Sequence, residues 1–209
     1  SHHQIKDFIN SNILFPTTIY DIISGKTKKM INFGSMMQHS KRENLVSKNF
    51  YSATKNAFEM ISNYYTKINN KTKFYNIKFY ESVGDNDNRK KIIPTIINNY
   101  KKKITTRILS KKLALNIIHT DDIINSIMIL LNNNIKSGSY CIKNKHNIKI
   151  SSLINNFNKG IKSKIKVKYG NKPTLSNFNH NLKILPKWKP TKNLEKKIIK
   201  IFNNEINKN

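Results

Sequence analysis

Acidic residues are scarce in this chain. Eleven Asp and Glu stand against 39 Lys and Arg in 209 residues, a formal charge of +28. Such an excess ordinarily points to nucleic acid or an anionic membrane. Its distribution speaks against both. No basic run exceeds three residues, as in Lys101-Lys102-Lys103, and there is no tail of like charges, no RGG segment and no zinc-ligand cluster. Lys, Asn and Ile recur everywhere, even in segments that read as core strands, so the charge reads as Lys filling solvated positions. A diffuse positive field still attracts a phosphate-bearing ligand. Cysteine is nearly absent too: Cys141 stands alone. That excludes an intrachain disulfide and points to a reducing compartment, with the cytoplasm as the default. No apolar run approaches the roughly 18 residues that span a bilayer, and no signal-peptide pattern opens the chain.

What is present suits one large domain, or one and a half. Hydrophobic residues at 37% and aromatics at 10% argue against general disorder, although the mean hydropathy of -0.59 is polar. Residues 8–23 carry apolar side chains at helical spacing, with a kink expected at Pro16 and a stop at Gly25. Residues 29–35 read as a short strand. Residues 50–67 read as a helix with Phe50, Ala53, Ala57, Phe58, Ile61 and Tyr65 on its apolar stripe. Residues 73–82 are β-rich, and Gly84-Asp85-Asn86-Asp87-Asn88 is a turn. This α, β, α, β order is that of a parallel sheet with helical crossovers.

The second half is shorter in its elements and more mixed. Helices are expected over residues 92–100, 151–157 and 194–202. A further helix, capped by Thr120 or Asp121, is expected to reach Leu131. Strands are expected over 104–109, 115–119, 139–143 and 165–169, with a turn-rich stretch through Pro186 and Pro190. A soft boundary falls near residues 82–88. It divides a part over 1–85 from a part over 86–209 interleaved with the last elements of the first. No internal repeat is visible.

Chemistry enters with Tyr51 and Lys55. Four residues apart on a helix, phenol and ammonium project from one face. A nearby cation favours phenolate and moves a Tyr pKa down from about 10. Nine tyrosines in so basic a chain give about one or two such pairs by chance, so the pair needs its surroundings.

Those surroundings fall into a known order. Asn12-Ile13-Leu14 resembles the Asn-Val-x start of a helix that precedes a catalytic strand, and Met30 to Ser35 resembles that strand. Tyr51-Ser52-Ala53-Thr54-Lys55 matches a Tyr-x-x-x-Lys motif. Ile77 to Gly84 is similar to a strand and Asn-Val-Tyr-Gly-Pro turn, and Asn88-Arg89 through Pro94 to the helix after it. His119-Thr120-Asp121-Asp122 is similar to His-Val-Asp-Asp, and Leu185-Pro186-Lys187-Trp188-Lys189-Pro190 to Leu-Gly-Trp-x-Pro. Together, across about residues 8–202, the chain resembles the extended short-chain dehydrogenase/reductases, the NAD-dependent epimerase/dehydratase family acting on nucleotide sugars. Phe33-Gly34-Ser35 with Gln38-His39 looks most like its CDP-sugar reductase and epimerase branch, whose motif reads Gly-Thr-Ser-Trp-Gln-His.

The resemblance implies an α/β fold, the C-terminal portion of a Rossmann-like, doubly wound parallel sheet, with a smaller mixed α/β substrate-binding part. It implies NAD or NADP as cofactor, a nucleotide-sugar substrate and a homodimer. Tyr51 is implied as the base that takes the sugar hydroxyl proton while the nicotinamide takes hydride. Its pKa would then have to fall by about three units. Lys55 would assist and hold the nicotinamide ribose, and Ser35 would be the third catalytic group. Asn12 and Tyr80 fall at cofactor-contacting positions, though a helix cap or strand-core role fits each equally. Glu81 and Arg89 fall at the substrate. His119, Asp121 and Trp188 read as bracing and packing, Asp121 as a helix cap. No metal site is implied.

Departures from the family pattern are as informative. Met36 stands where a Ser or Thr normally bonds the substrate, and a thioether cannot donate a hydrogen bond. Val83 and Asp85 replace the Tyr and Pro of the turn. The Gly-x-x-Gly-x-x-Gly fingerprint that seats a pyrophosphate at a helix N-terminus is missing, since Gly25, Gly34 and Gly84 are isolated. The chain opens Ser1-His2-His3, just after the expected fourth strand, so about three βα units, on the order of ninety residues, would precede it. These 209 residues alone are then expected to bind NAD poorly and to expose a sticky sheet edge. Two other readings stand beside the enzyme: a basic nucleic-acid-binding protein, and a family member without catalysis.

Overall fold

The computed structural model describes residues 2–38, 47–69, 71–171 and 182–208. Their chain order opens with helix α1 (His2–Ile9), a π-helical turn (Asn10–Leu14) and helix α2 (Phe15–Ile23). The expected kink at Pro16 is therefore a π turn. Proline lacks the N–H that would bond the Asn12 carbonyl, and the ladder widens so that Phe15 N–H donates to the Asn10 carbonyl instead. The helix stops where Gly25 turns to φ +80°, and its N–H donates to Thr72 Oγ1 at 2.8 Å.

Strand β1 (Lys29–Ser35) follows, then a 3-10 turn (Met36–Gln38), helix α3 (Phe50–Ile68) and strand β2 (Lys73–Phe79). Asn49 caps α3: its side chain accepts from Ser52 N–H, and Ser52 Oγ accepts from Asn49 N–H, a closed capping box. β2 is the centre of a parallel sheet, flanked by β1 and by β7 (Gly138–Cys141), with Ser35 opposite Phe79 and Asn76 opposite Ser139. Tyr20, Phe58 and Phe74 form the apolar cluster between helices and sheet.

These elements belong to one compact unit, the described residues within 1–80, 125–142 and 178–188. The second unit takes the described residues within 81–124, 143–177 and 189–209. The chain passes from one to the other at Tyr80–Glu81 and returns twice, so the second half is interleaved and not a simple tail.

The second unit holds β3 (Glu81–Val83), α4 (Ile92–Lys101), β4 (Thr106–Ile108), β5 (Ala114–Leu115) and β6 (Ile117–His119). α5 (Thr120–Asn132) leads back to the first unit, and β8 (Ile148–Lys149), α6 (Ile150–Asn158), β9 (Val167–Tyr169) and α7 (Leu194–Ile206) complete the second. β3 pairs with β6 and β4 with β9, both parallel, while β5 pairs antiparallel with β8. Its core is built on Ile93, Ile96, Leu153, Phe157, Ile198 and Phe202. The Phe157 and Phe202 rings stack at 4.2 Å. Each such fully buried apolar side chain contributes about 1.5–3 kcal/mol.

The strand expected over 115–119 is two. Asn116 interrupts it, because its amide accepts Asn144 N–H at 2.9 Å and donates to the Asn144 carbonyl and Asn147 Oδ1. The helix cap expected at Thr120 or Asp121 lies one to two residues to either side. Asp122 Oδ2 accepts His119 N–H at 3.0 Å, and His119 Nδ1 accepts Asp121 N–H at 3.1 Å. Asp122 also accepts both Thr191 N–H and Thr191 Oγ1 at 2.7 Å. Trp188 is 5% exposed, as packing requires.

Gly84 closes β3 against α5. A Cβ there would lie 2.7 Å from both Thr120 Cγ2 and Oγ1. Gly84→Ala is expected to cost about 1–3 kcal/mol by overpacking, read as a lower urea midpoint. Adding Thr120→Ser, which removes the methyl and so one of the two close contacts, should recover part of the loss.

Candidate active site

The candidate residues Ser35 and Tyr80 lie at the carboxyl ends of the parallel strands β1 and β2, where open α/β sheets take ligands. Ser35 ends β1, and Tyr80 follows directly on Phe79, its register partner in β2. Helix α3 lies against this end with Tyr51 in its first turn and Lys55 one turn on. Lys55 Nζ donates to the Phe33 carbonyl of β1 at 3.2 Å, which pins the ammonium to the strand carrying Ser35. Among the described residues no carboxylate pairs with Lys55.

Tyr51 is 36% exposed and packs edge-on against Phe8 at 5.8 Å. Its backbone carbonyl accepts Thr54 Oγ1, while its phenol meets no hydrogen-bond partner among the described residues. The expected drop in phenol pKa is not what this chain alone produces. Burial pushes Tyr51 above its ordinary 10.0, and burial pulls Lys55 below its ordinary 10.5. Both groups are thus biased towards their neutral forms. A phenolate-absorbance titration of the chain, differenced against Tyr51→Phe, should place the missing transition above pH 10.0.

Asn12 is buried in the π turn, and its Nδ2 donates to Thr54 Oγ1 on α3 at 3.1 Å. It anchors helix α3 whatever else it touches. Tyr80 is pushed up to about 12, by burial first and by Cys141 second. Met36 has no exposed surface at all, so its thioether fills core space and offers nothing to a ligand. Ser35 is 7% exposed, and its Oγ accepts Met37 N–H at 3.2 Å. His39 lies outside the described residues.

Glu81 and Arg89 belong to the second unit. Glu81 pairs with Lys91 at 3.4 Å. Arg89 is bonded to Asp87 through Nε at 2.8 Å and Nη2 at 2.7 Å, and Nη2 also reaches Ser82 O and Oγ at 3.2 Å. The guanidinium hydrogen bond holds the Asp87 carboxyl below its usual range. A substrate anion would have to share this arginine with Asp87.

Sequence reasoning missed the polar cluster beneath the site. Glu59 and Lys78 are 7% and 0% exposed and meet at 2.7 Å. The available signal was the spacing of Tyr51, Lys55 and Glu59, four apart on one helix face. The apolar stripe assigned to α3 is corrected accordingly. Its buried residues are Ser52, Thr54, Phe58, Glu59 and Ser62, whereas Phe50 is 45% exposed.

Comparison with known proteins agrees with this architecture. The chain is 29% identical over 134 residues, 63% of its length, to the CDP-abequose synthase of Yersinia pseudotuberculosis. It spans 46% of that relative, about half. UDP-glucuronic acid 4-epimerase from Bacillus cereus, solved with UDP-glucuronic acid and NAD, superposes with a TM-score of 0.78 at 14% identity, covering 94% of this chain and 68% of that one. UDP-N-acetylglucosamine 4-epimerase from Methanobrevibacter ruminantium superposes at 0.76 and 17% identity, covering 94% and 70%. At such identities the likeness speaks to the fold, a Rossmann-type α/β fold. The model of the NAD dependent epimerase/dehydratase family matches residues 1–165, most of the chain. The chain belongs to the NAD-dependent epimerase/dehydratase family.

Proposed function

We propose that this chain carries the proton-transfer and substrate-holding part of an NAD(P)-dependent nucleotide-sugar epimerase, dehydratase or reductase. The observation that carries the reading is Lys55, one turn beyond Tyr51 on α3, fixed to the Phe33 carbonyl of the strand that ends at Ser35, opposite the Phe79 that precedes Tyr80. The residues fit the nicotinamide-ribose end of such a cofactor. Lys55 spends one N–H on a carbonyl and has others to offer a ribose, and the Tyr51 phenol is unengaged among the described residues. The pyrophosphate end requires a Gly-rich turn that these 209 residues do not contain. Asn12 and Tyr80 border the cofactor in this reading, and Glu81 and Arg89 serve the substrate.

When bound, the oxidised nicotinamide supplies a hydride acceptor and a positive ring charge. Tyr51 as phenolate takes the proton of the sugar hydroxyl and becomes the neutral phenol, and Lys55 lowers the cost of the phenolate that the step consumes. Because burial raises Tyr51, the phenol needs added positive charge to act at neutral pH. Ser35 holds the hydroxyl in line. The CDP-sugar branch is favoured by Gly34-Ser35 with Gln38-His39 and by the 29% identical CDP-abequose synthase. The test is a panel of CDP-, UDP- and dTDP-sugars with NAD or NADPH, followed at the nicotinamide absorbance and by product analysis. Turnover on none of them, by a protein carrying this chain and a Gly-rich part, would discard the reading.

A homodimer through α2 and α3 is part of the proposal. Phe15, Ile22, Met60, Tyr64 and Ile68 are 53–64% exposed on these helices. Sedimentation should give a dimer that Met60→Asp with Tyr64→Asp weakens; a monomer at tens of micromolar would exclude it. No described helix is long and apolar enough to cross a membrane, and buried Cys141 favours a reducing, cytoplasmic setting. The nucleic-acid reading predicts affinity that falls steeply with salt, and loss of polyanion binding near physiological salt disposes of it.

A further inference from the structure

Glu59 and Lys78 form an ion pair that an ordinary core would replace by apolar groups. Glu59 sits on α3, two turns beyond Tyr51, and Lys78 on the central strand β2. Their carboxylate and ammonium meet at 2.7 Å, with side chains 10% and 1% exposed. Buried ion pairs contribute little net stability, because desolvation offsets their attraction. The pair's position suggests what else it does.

Glu59 Oε2 accepts Gln38 Nε2 at 2.7 Å, and Glu59 Oε1 accepts Ser139 Oγ at 2.5 Å. Gln38, itself without exposed surface, turns its other amide atom to the site: Oε1 accepts Ser35 N–H at 2.6 Å. A carboxylate only accepts hydrogen bonds, so it admits one orientation of the Gln38 amide. Nitrogen must face Glu59, and oxygen must therefore face Ser35. A flipped amide would set oxygen against oxygen at one end and N–H against N–H at the other.

Lys78 keeps this logic intact. Burial alone would raise the Glu59 pKa, but the Lys78 charge and its hydrogen bond, with smaller help from Ser139 and Asn76, hold it below the usual range. Gly34 leaves the room. A Cβ at Gly34 would meet Gln38 Oε1 and would lie 2.8 Å from Asn76 Oδ1 and 3.1 Å from Lys78 Cγ. Strand, turn and helix are thus coupled through one amide.

We propose that Gln38 is a positioning residue, oriented by the buried Glu59–Lys78 pair, that latches Ser35 at the end of β1 against the helix bearing Tyr51 and Lys55. The catalytic part of this claim rests on the function proposed above; the latch itself does not. It acts on the Ser35 backbone, fixing where the side chain starts.

The experiment measures amide hydrogen exchange at Ser35 in the 209-residue chain, beside its urea midpoint. Glu59→Leu with Lys78→Met removes both charges and keeps apolar volume. It should retain the midpoint while Ser35 exchanges about tenfold faster, the scale of one lost hydrogen bond. Gln38→Met, which leaves the ion pair, should speed Ser35 exchange likewise, with some loss of midpoint from the unpaired buried groups, and carries the test if the double variant does not fold. Unchanged Ser35 protection in Gln38→Met overturns the latch. In the active enzyme the same variant should lower kcat with little change in KM, and wild-type kcat would remove the catalytic role while leaving the latch. Absence of any turnover by the wild type would instead fail the functional reading, with the exchange result unaffected.

Discussion

Tyr51→Phe, in a protein that joins this chain to a Gly-rich nucleotide-binding part, is expected to abolish turnover while cofactor binding persists. The substitution deletes one oxygen. A general base contributes about 10²–10⁴-fold, so kcat should fall by at least about a hundredfold. The phenol has no hydrogen-bond partner among the described residues, and the ring's contact is with Phe8 at 5.8 Å, which Phe preserves. Stability should therefore move by less than about 0.5 kcal/mol, as for substitutions away from packed or bonded features. Cofactor titration followed by nicotinamide fluorescence separates binding from chemistry. Full retained turnover would remove Tyr51 from the mechanism and with it the function proposed for the chain.

The pH profile adds a sign. Burial raises the phenol, so without a cofactor charge the base would be protonated across the neutral range. Activity limited by Tyr51 should rise with pH. In a variant lacking the second cation, Lys55→Met, the rising limb should move to higher pH. A profile unmoved by Lys55→Met would mean that Lys55 binds without tuning the phenol.

The helices and the parallel sense of β1 and β2 were legible because spacing and alternation record them directly, whereas the docking of β7 on the other side of β2 was not. Which face of α3 turns inward was not. Periodicity says that Tyr51, Lys55 and Glu59 share a face, but only the sheet says that this face is covered, and by what. Lys78 misleads for the same reason. In β2 it alternates with Ile77 and Phe79 as a solvent-facing residue would, and its burial exists only because Glu59 arrives from another element. Asn116 broke a predicted strand by bonding Asn144 and Asn147, partners some thirty residues away. Asp122, not Asp121, closes the α5 cap, since adjacent acidic residues are indistinguishable until the turn sets which of them faces back. The Tyr51–Lys55 pair itself was readable as a motif. Its electrostatic state was not, because burial opposes what the pair's spacing alone would suggest.

Lys78→Met is expected to be among the most destabilising single changes available in the first unit. It leaves Glu59 buried and ionised beside Gln38, Ser139 and Asn76, without the charge that holds its pKa down. Removing one partner of a buried pair typically costs about 3–5 kcal/mol, whereas replacing both by apolar groups is often neutral or better. The double variant Glu59→Leu with Lys78→Met should therefore regain most of the loss, a positive coupling of several kcal/mol in a double-mutant cycle read from urea midpoints. The pH dependence should follow Glu59. Its folded-state pKa is depressed, so its contribution is complete above the ordinary value of 4.5 and is lost as pH falls through the lower folded value. In the double variant that acid-side loss should shrink. Additive single and double effects would mean that Glu59 and Lys78 are solvated independently in solution, and the charge-set orientation of Gln38 would lose its physical basis.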